Sequence, residues 1–152
     1  MGGDAELPGA VLFACTMNCV RSPMAAAMLS HLAGHRVYVE SAGVRAGDAD
    51  TFVTTVMNEI GIDLSRHKPQ TLAELADTSF DLIVTLSPEA HHTALELTRT
   101  MAVDVEYWPT IDATVMLGQG SREQALAYYR TVRDQLFKKL KTRFGFSGGP
   151  SV

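Results

Sequence analysis

The sequence predicts an α/β fold in which helices cover both faces of a four-stranded parallel sheet. Short runs rich in β-branched and apolar residues alternate along the chain with stretches of helical periodicity, the pattern of consecutive βαβ units. Capping residues mark the ends of several helical stretches. With 152 residues, 46% of them hydrophobic, the chain is long enough to bury a core without disulfides or a metal ion.

The first half of the chain contains two strand–helix units. Residues 10–14, Ala-Val-Leu-Phe-Ala, have the composition of a buried strand, and a helix is predicted over 23–33. The second strand is predicted at about 36–40 and the second helix over 51–60. A glycine follows each helix directly, as is common at helix C-termini.

The second half begins with a Thr-x-x-Glu capping box at 71–74, which predicts a short helix. Strands are predicted at 80–86 and 104–107, and the Ser-Pro pair at 87–88 begins a helix that runs to about residue 100. A Ser-x-x-Gln box at 121–124 begins the last helix. Its buried face is predicted to consist of Leu126, Tyr129, Val132, Leu136, Leu140 and Phe144.

Composition excludes several classes of function. A net charge of −4, with no stripe of Lys and Arg outside the last helix, argues against nucleic-acid binding. No apolar stretch approaches the roughly 18 residues of a membrane span. Two cysteines only four residues apart, and an N-terminus without a basic-then-apolar pattern, predict the reducing cytoplasm. A single domain over residues 1–152 is expected, with loose tails at 1–8 and 147–152.

The most informative motif runs from Cys15 to Ser22, between the first strand and the first helix. Backbone N–H groups of such a turn, with those of the first helical turn, converge on one point and favour an anion there. The same field stabilises a thiolate, the nucleophilic form of cysteine. The planar guanidinium of Arg21 can donate hydrogen bonds to two oxygens of a tetrahedral anion. Ser22 can cap the helix and donate to the Cys15 sulfur. The predicted phosphate-binding residues are Thr16, Met17, Asn18, Cys19, Val20, Arg21 and Ser22.

A phosphate site with a thiol nucleophile also needs a proton donor. Ligands of parallel sheets bind at the carboxyl ends of the strands, a rule that selects the loops at 15–22, 41–50, 87–88 and 108–120. The carboxylates near them are Asp48, Asp50, Glu89 and Asp112. Asp112 is the preferred acid because its loop is long enough to reach back over the phosphate. The alternative is that Asp112 only makes a local turn with the two residues that follow it.

These residues also carry a family resemblance, over roughly residues 10–144. The chain resembles the low-molecular-weight protein tyrosine phosphatases and the arsenate reductases built on the same scaffold. The matching segments are Val11-Leu12-Phe13-Ala14-Cys15, Arg21-Ser22-Pro23-Met24-Ala25, Ser41-Ala42-Gly43, Gly61-Ile62-Asp63-Leu64-Ser65 with His67, Phe80 to Leu86, and Tyr107-Trp108 ahead of Asp112. The resemblance implies a three-layer, flavodoxin-like sheet of order 2-1-3-4, with the phosphate loop between strand 1 and helix 1.

The resemblance implies a two-step hydrolysis of phosphomonoesters, of the phosphotyrosine type, without a cofactor or metal. Cys15 attacks phosphorus while Asp112 protonates the leaving oxygen, and the Asp112 carboxylate then activates water to hydrolyse the cysteinyl-phosphate. Arg21 and the loop amides stabilise the charge. Asn18, which in the family holds the loop in a strained turn, is implied to act with Ser22, Ser41 and His67 in support of the loop.

The chain departs from the family pattern at three places. Met17 replaces a common loop glycine, so its side chain either points outward or changes the backbone. Ala113-Thr114-Val115 replaces a proline and two tyrosines that flank an aromatic leaving group. The loop at 44–50 lacks the usual wall aromatic. Tyr107-Trp108 lies near the site, but an aromatic pair at a strand end is more often core than substrate wall.

Cysteine usage leaves two alternatives to a phosphatase open. Cys19 either forms a reversible disulfide with Cys15 or packs as a small apolar residue. The family's thioredoxin-coupled reductases need two further cysteines, where this chain has Ser87 and Thr93-Ala94. Arsenate reduction would therefore need Cys19 or an external small thiol. The other alternative is a module that binds phosphate or a phosphoprotein with weak turnover.

Overall fold

A computed structural model describes residues 7–75 and 79–146 of the chain. The strands are Ala10–Cys15 (β1), Tyr38–Gly43 (β2), Leu82–Thr85 (β3) and Asp104–Tyr107 (β4). The α-helices are Arg21–Ala33 (α1), Thr51–Asn58 (α2), Pro88–Leu97 (α3) and Arg122–Phe144 (α4). All strand pairs are parallel and the sheet order is β2-β1-β3-β4, which confirms the predicted fold.

Two hydrophobic clusters lie on opposite faces of the sheet and make three layers. Alternate residues of β1 divide between them, since Val11 and Phe13 point to one face and Leu12 and Ala14 to the other. Helices α1, α2 and α4 pack on the first face, and α3 packs on the second. The predicted apolar residues of α4 are all buried, and its Ser-x-x-Gln capping box is present.

The register brings the carboxyl ends of the central strands together at one edge. Cys15, the last residue of β1, pairs with Gly43 of β2. A Cβ atom at Gly43 would lie 2.8 Å from both the Asn18 nitrogen and the Thr16 carbonyl oxygen. Only glycine therefore lets the end of β2 approach the loop after β1 so closely.

Several predicted boundaries are wrong by a few residues. The second strand was expected at 36–40 but begins at Tyr38, because residues 34–36 form a 3₁₀ turn. The third strand is shorter than 80–86, and the helices predicted to reach residues 60 and 100 end at Asn58 and Leu97. The short helix after residue 71 is a 3₁₀ helix, Leu72–Leu75.

The start of α1 also differs from the prediction. The helix begins at Arg21, its N-cap residue is Val20, and no side chain caps it. The hydroxyl of Ser22 points to the Cys15 sulfur and not to the helix N-terminus. Ser22 therefore serves the loop alone.

The predicted loose tails at 1–8 and 147–152 lie largely outside the described residues. Leu7, inside the first of these stretches, packs against the core. Across the two described ranges, none of the helices has the length and apolarity needed to cross a membrane.

Candidate active site

The floor of the site is the loop between β1 and α1. Cys15 is almost fully buried, and its Sγ lies 2.9 Å from the Ser22 Oγ in the first turn of α1. Because no side chain caps α1, its first N–H groups are left for an anion in the loop. This arrangement places a sulfur nucleophile at the positive end of a helix.

The carbonyl groups at the beginning of the floor, from Cys15 to Asn18, are all hydrogen-bonded. Four consecutive ones accept hydrogen bonds from other segments: Cys15 from Val44 N (3.1 Å), Thr16 from Arg45 N (2.9 Å), Met17 from Gly47 N (2.9 Å) and Asn18 from His67 Nε2 (2.8 Å). Since each peptide unit is planar and trans, a carbonyl held outward turns the next N–H inward. The four bonds therefore aim successive N–H groups at one centre before any ligand binds.

Asn18 is the turning point of the floor. It is the one non-glycine residue with positive φ (56°) among the described residues. Its Nδ2 donates to Ser22 Oγ (2.8 Å) and Ser41 Oγ (2.9 Å), and its Oδ1 accepts from Gln70 N (2.9 Å). The structure thus brings Asn18, Ser22, Ser41 and His67 into one network. These bonds offset the cost of a left-handed backbone at a buried residue.

Sequence reasoning missed Gln70, which ties this network to β2. Its backbone oxygen accepts from Gly43 N (2.9 Å), and its Nε2 donates to the Ser41 carbonyl (2.9 Å). Its N–H also decides which way the Asn18 amide faces. No local pattern reveals this residue, because its partners lie about 30 and 50 residues away in the chain.

Ser22 links the network to the nucleophile. Its Oγ accepts from Asn18 Nδ2, so its single hydrogen is available to the Cys15 sulfur at 2.9 Å or to the Ala42 carbonyl at 3.4 Å. When Cys15 is a thiolate, the shorter and charge-assisted bond is favoured. The serine hydroxyl therefore stabilises the sulfur anion directly.

A cavity of about 400 Å³ opens above the floor. Cys15, Arg21 and Asp112 all line it, so the structure brings the three predicted catalytic residues to one pocket. Arg21 Nη1 donates to the Thr110 carbonyl (3.1 Å), which connects the guanidinium to the loop that carries Asp112. The pocket thus has a nucleophile below, a cation beside it and a carboxyl group in the opposite loop.

Asp112 makes the local turn and lines the pocket at the same time. Its Oδ1 accepts from Thr114 N (3.0 Å) and Thr114 Oγ1 (2.6 Å), and it caps the 3₁₀ helix Ala113–Met116. Its Oδ2 has no hydrogen bond with the part of the chain that is described. The turn therefore holds one oxygen in place and leaves the other available to a ligand.

Two of the other candidate carboxylates have structural partners. Both oxygens of Asp50 are used, one by the first amides of α2 and the other by the Tyr129 hydroxyl (2.7 Å). Burial, together with this bond to Asp50, raises the pKa of Tyr129. Glu89 forms a two-pronged pair with Arg45 (2.8 and 3.0 Å). Asp48 lines the pocket beside Asp112.

Cys19 is placed as a hydrogen-bond donor. Its Sγ donates to the Asp48 carbonyl (2.9 Å) and lies 3.4 Å from that of Met17. Burial first, and the proximity of Cys15 second, raise the pKa of Cys19 to about 11. Both cysteines are free in the structure. Cys19 is therefore a neutral thiol at physiological pH.

The structure also explains how Met17 fits the loop. The Met17 side chain points outward and is 40% exposed, so the backbone needs no glycine there. The close approach occurs instead at Gly47, where a Cβ would lie 2.8 Å from Cys19 Sγ and 3.2 Å from Met17 Cβ. A glycine on the facing segment thus makes room for the side chain on the loop.

The aromatic pair at 107–108 does not line the pocket. Trp108 is buried and packs edge-on against Phe13, and Tyr107 stacks on His91 with ring centroids 4.6 Å apart. The aromatic residue in the pocket is Phe52, which sequence reasoning missed. It lies in the first turn of α2, two residues after the capping Asp50, a position that could have suggested it.

Within the described ranges, no three His, Cys, Asp or Glu side chains are grouped to hold a metal ion. The His91 ring bonds to Thr85 Oγ1 through Nδ1 (2.9 Å) and stacks on Tyr107.

Comparison with known proteins identifies the class. The family model described as low molecular weight phosphotyrosine protein phosphatase matches residues 10–141. The chain belongs to this family, as the resemblance predicted.

The relatives within the family have different names. The chain is 31% identical over 132 residues to an arsenate reductase of Bacillus subtilis (strain 168), covering 86% of this chain and 91% of that protein. It is 31% identical over 150 residues to a protein-arginine-phosphatase of Geobacillus stearothermophilus, covering 90% and 99%. The crystal structure of a YwlE mutant from Bacillus subtilis matches with a TM-score of 0.72 and 26% identity, covering 90% of this chain and 96% of that one.

Proposed function

We propose that this protein is a cysteine-dependent phosphatase that hydrolyses phosphomonoesters through a cysteinyl-phosphate. The observation that carries the proposal is the position of the Cys15 sulfur. It lies 2.9 Å from a serine hydroxyl, at the floor of a pocket that Arg21 and Asp112 also line. A reducing compartment such as the cytoplasm would keep this sulfur a free thiol.

The first step transfers the phosphoryl group to sulfur. When a phosphate binds over the floor, its equatorial oxygens accept hydrogen bonds from the inward N–H groups of the loop and from the Arg21 guanidinium. The Cys15 thiolate forms an S–P bond as the ester P–O bond breaks. Asp112, protonated, gives its proton to the leaving oxygen.

The second step releases phosphate. The Asp112 carboxylate takes a proton from a water molecule, whose oxygen attacks phosphorus as the S–P bond breaks. Cys15 leaves as a thiolate and receives the Ser22 hydrogen bond. The network of Asn18, Ser41, His67 and Gln70 acts only through the loop, by keeping the floor in shape.

For the substrate, we propose phosphotyrosine-type esters first. Phe52 is the aromatic side chain that lines the pocket, and an aryl leaving group would contact its ring. The Phe52 ring packs against the Tyr129 ring, with centroids 5.4 Å apart. The Arg122 guanidinium lies over the Phe52 ring, 5.4 Å from its centroid. One fixed ring thus takes the place of the paired tyrosines expected from the family.

A second substrate class is a phosphorylated guanidinium. Asp48 and Asp112 both line the pocket, and neither forms an ion pair with a Lys or Arg of the described residues. Two such carboxylates favour a leaving group that carries positive charge. The Geobacillus relative is named a protein-arginine-phosphatase, which agrees with this reading.

Arsenate reduction has less support. The chain contains only two cysteines, and Ser87 stands where the reductases of the family have a relay thiol. Ser87 Oγ is occupied, since it accepts from Thr16 Oγ1 (2.9 Å) and caps α3. Cys19 is held protonated against Asp48. A reductase would therefore depend on an external thiol.

The test compares three reactions of the purified protein. Phosphate release is measured from a phosphotyrosine peptide and from a phosphoarginine peptide of otherwise identical sequence, and arsenate reduction is measured with a small thiol present. Quenching during turnover, followed by intact-mass analysis, detects the phosphorylated enzyme. We expect phosphate release and an added phosphoryl mass that is absent in Cys15→Ala.

The outcomes separate the candidates. The ratio of the two kcat/KM values assigns the substrate class. Arsenate reduction without phosphate release would overturn the phosphatase proposal. Phosphate binding without turnover on either peptide would leave a binding module.

A further inference from the structure

The mouth of the pocket is unusually apolar for a surface that surrounds an anion site. Nine large hydrophobic side chains are well exposed among the described residues. Four of them lie either on the phosphate loop or on the loop that carries Asp112. These four, called here the apolar rim, are Met17, Ile111, Val115 and Leu117.

Two members of the apolar rim border the pocket itself. Met17 and Leu117 line the cavity above Cys15, 40% and 41% exposed. Ile111 and Val115 are 42% and 50% exposed and flank Asp112 and Thr114, which also line the cavity. Exposed apolar side chains clustered around a binding site mark a surface that is covered when the partner binds.

A small phosphomonoester would not cover this surface. The nucleophile is 2% exposed at the base of the pocket, so a phosphate bound there lies below the rim. Groups attached to a small substrate end inside the cavity, where they can reach Met17 and Leu117 but leave Ile111 and Val115 in water. A phosphorylated side chain on a polypeptide must instead bring its neighbouring residues onto the rim.

Charge narrows the choice of partner. Asp48 and Asp112 line the same cavity, and the whole chain carries a net charge of −4. An anionic lipid surface would be repelled, and so would acidic residues beside the phosphorylated one. Apolar flanking residues carry no charge and are therefore not repelled, and they can bury apolar surface against the rim.

We infer that the apolar rim is a docking surface for apolar side chains that flank the phosphorylated residue of a polypeptide substrate. The inference rests on the proposed phosphatase function and specifies its substrate. The phosphate pocket then supplies the chemistry, and the rim selects among phosphorylated segments by their neighbours.

The test uses three peptides that differ only beside the phosphorylated residue, with leucine, serine or aspartate on both sides, and a small aryl phosphate. The parent is compared with Val115→Ser and Ile111→Ser. Leu95→Ser is the matched control, since Leu95 is 47% exposed on α3, on the opposite face of the sheet. The readout is the ratio of kcat/KM for each peptide to that for the aryl phosphate.

For the parent we expect the order leucine, serine, aspartate, with about tenfold between the first two. Val115→Ser and Ile111→Ser should each reduce the leucine-peptide ratio about threefold to tenfold, and Leu95→Ser should not change it. Equal ratios for the leucine and serine peptides would overturn the inference, and so would equal effects of Val115→Ser and Leu95→Ser.

Two further measurements keep the test decisive. If no substrate is turned over, the phosphatase proposal fails, and docking is then read from titration of Cys15→Ser with the same peptides. Sedimentation at assay concentration detects self-association. A dimer in the parent that Val115→Ser dissociates would show that the rim binds a second copy, which contradicts the inference.

Discussion

The floor of the pocket and its mouth are held in different ways. Four carbonyls of the floor accept hydrogen bonds from segments far away in the sequence. The side-chain amide of Asn18 donates hydrogen bonds through its nitrogen and accepts one through its oxygen. In the mouth, the loop from Ile111 to Gly120 makes only local hydrogen bonds among the described residues. Three of its apolar side chains, those of Ile111, Val115 and Leu117, are exposed.

This difference separates chemistry from selection. Stabilisation of a phosphoryl transition state requires donors that are already in place, and the floor has them. Substrate selection requires a surface that a partner completes, and we propose that the mouth provides that surface. Substitutions in the floor should therefore change the reaction itself, whereas substitutions in the mouth should change which substrate reacts.

The largest effect is expected for Cys15→Ser. We expect turnover to fall by at least about 10⁴-fold, because the hydroxyl is a far poorer nucleophile than the thiolate. Phosphate should bind at least as tightly as in the parent, because the floor is shaped by carbonyl bonds and not by sulfur. Titration calorimetry with phosphate checks this, and loss of binding would contradict a preformed floor.

The next largest effect is expected at Asp112, the mouth residue that we propose as the proton donor. Asp112→Asn keeps an oxygen to accept from Thr114 but cannot give up a proton, whereas Asp112→Ala loses both functions. We expect kcat to fall about 10²–10⁴-fold in both variants. The pre-steady-state rate of leaving-group release measures the effect. A loss in Asp112→Ala alone would show that the local turn is what matters.

A smaller effect is expected from Asn18 in the floor. Asn18→Gly and Asn18→Ala both remove the amide that orients Ser22, so kcat/KM should fall about tenfold in each, and alkylation of Cys15 at neutral pH should slow. Both variants also lose the hydrogen bonds of the amide, and Asn18→Ala should reduce the free energy of unfolding by about 1 kcal/mol more than Asn18→Gly does, because alanine resists positive φ. Urea unfolding with both variants separates the side-chain effect from the backbone effect. Equal stability in both would contradict backbone strain.

The smallest effect concerns the support of α2, which carries Phe52 in the mouth. Glu59, at the end of α2, pairs with Arg130 and Arg133 of α4, and the hydrogen bond from Arg130 holds the pKa of Glu59 below its ordinary value. The stability from this pair is complete above pH about 4.5 and is lost as pH falls through the lowered pKa. Glu59 is 35% exposed and screened by solvent, so we expect Glu59→Gln to cost about 1 kcal/mol at pH 7.

The control for this prediction is Glu89→Gln. Glu89 pairs with Arg45 at the surface, where both side chains are well exposed, and we expect no measurable change in unfolding. Unfolding in urea between pH 3 and 7 should show the cost of Glu59→Gln shrink as the solution becomes acidic. A cost that does not depend on pH would contradict an electrostatic origin.

Much of the site could be predicted from local patterns. The strand-turn-helix around Cys15 and Arg21, the capping residues and the length of the loop before α4 are all properties of adjacent residues. Local rules failed where they offered a side chain two uses. Ser22 was expected to cap α1 as well as to donate to Cys15, and its hydroxyl has only the second use. Asp112 both makes its turn and lines the pocket.

The sequence by itself determined the class of fold and placed Cys15 and Arg21 at the two ends of the loop between β1 and α1, because hydrophobic periodicity and loop chemistry act over a few residues. Only the tertiary structure decided how the floor is held, since Gln70, His67 and Gly47 meet it through long-range pairing of β1, β2 and the segments that follow β2. It also decided that Phe52 lines the pocket and Trp108 does not. Which ring borders a cavity depends on how helices pack across the sheet, and no short stretch of sequence contains that information.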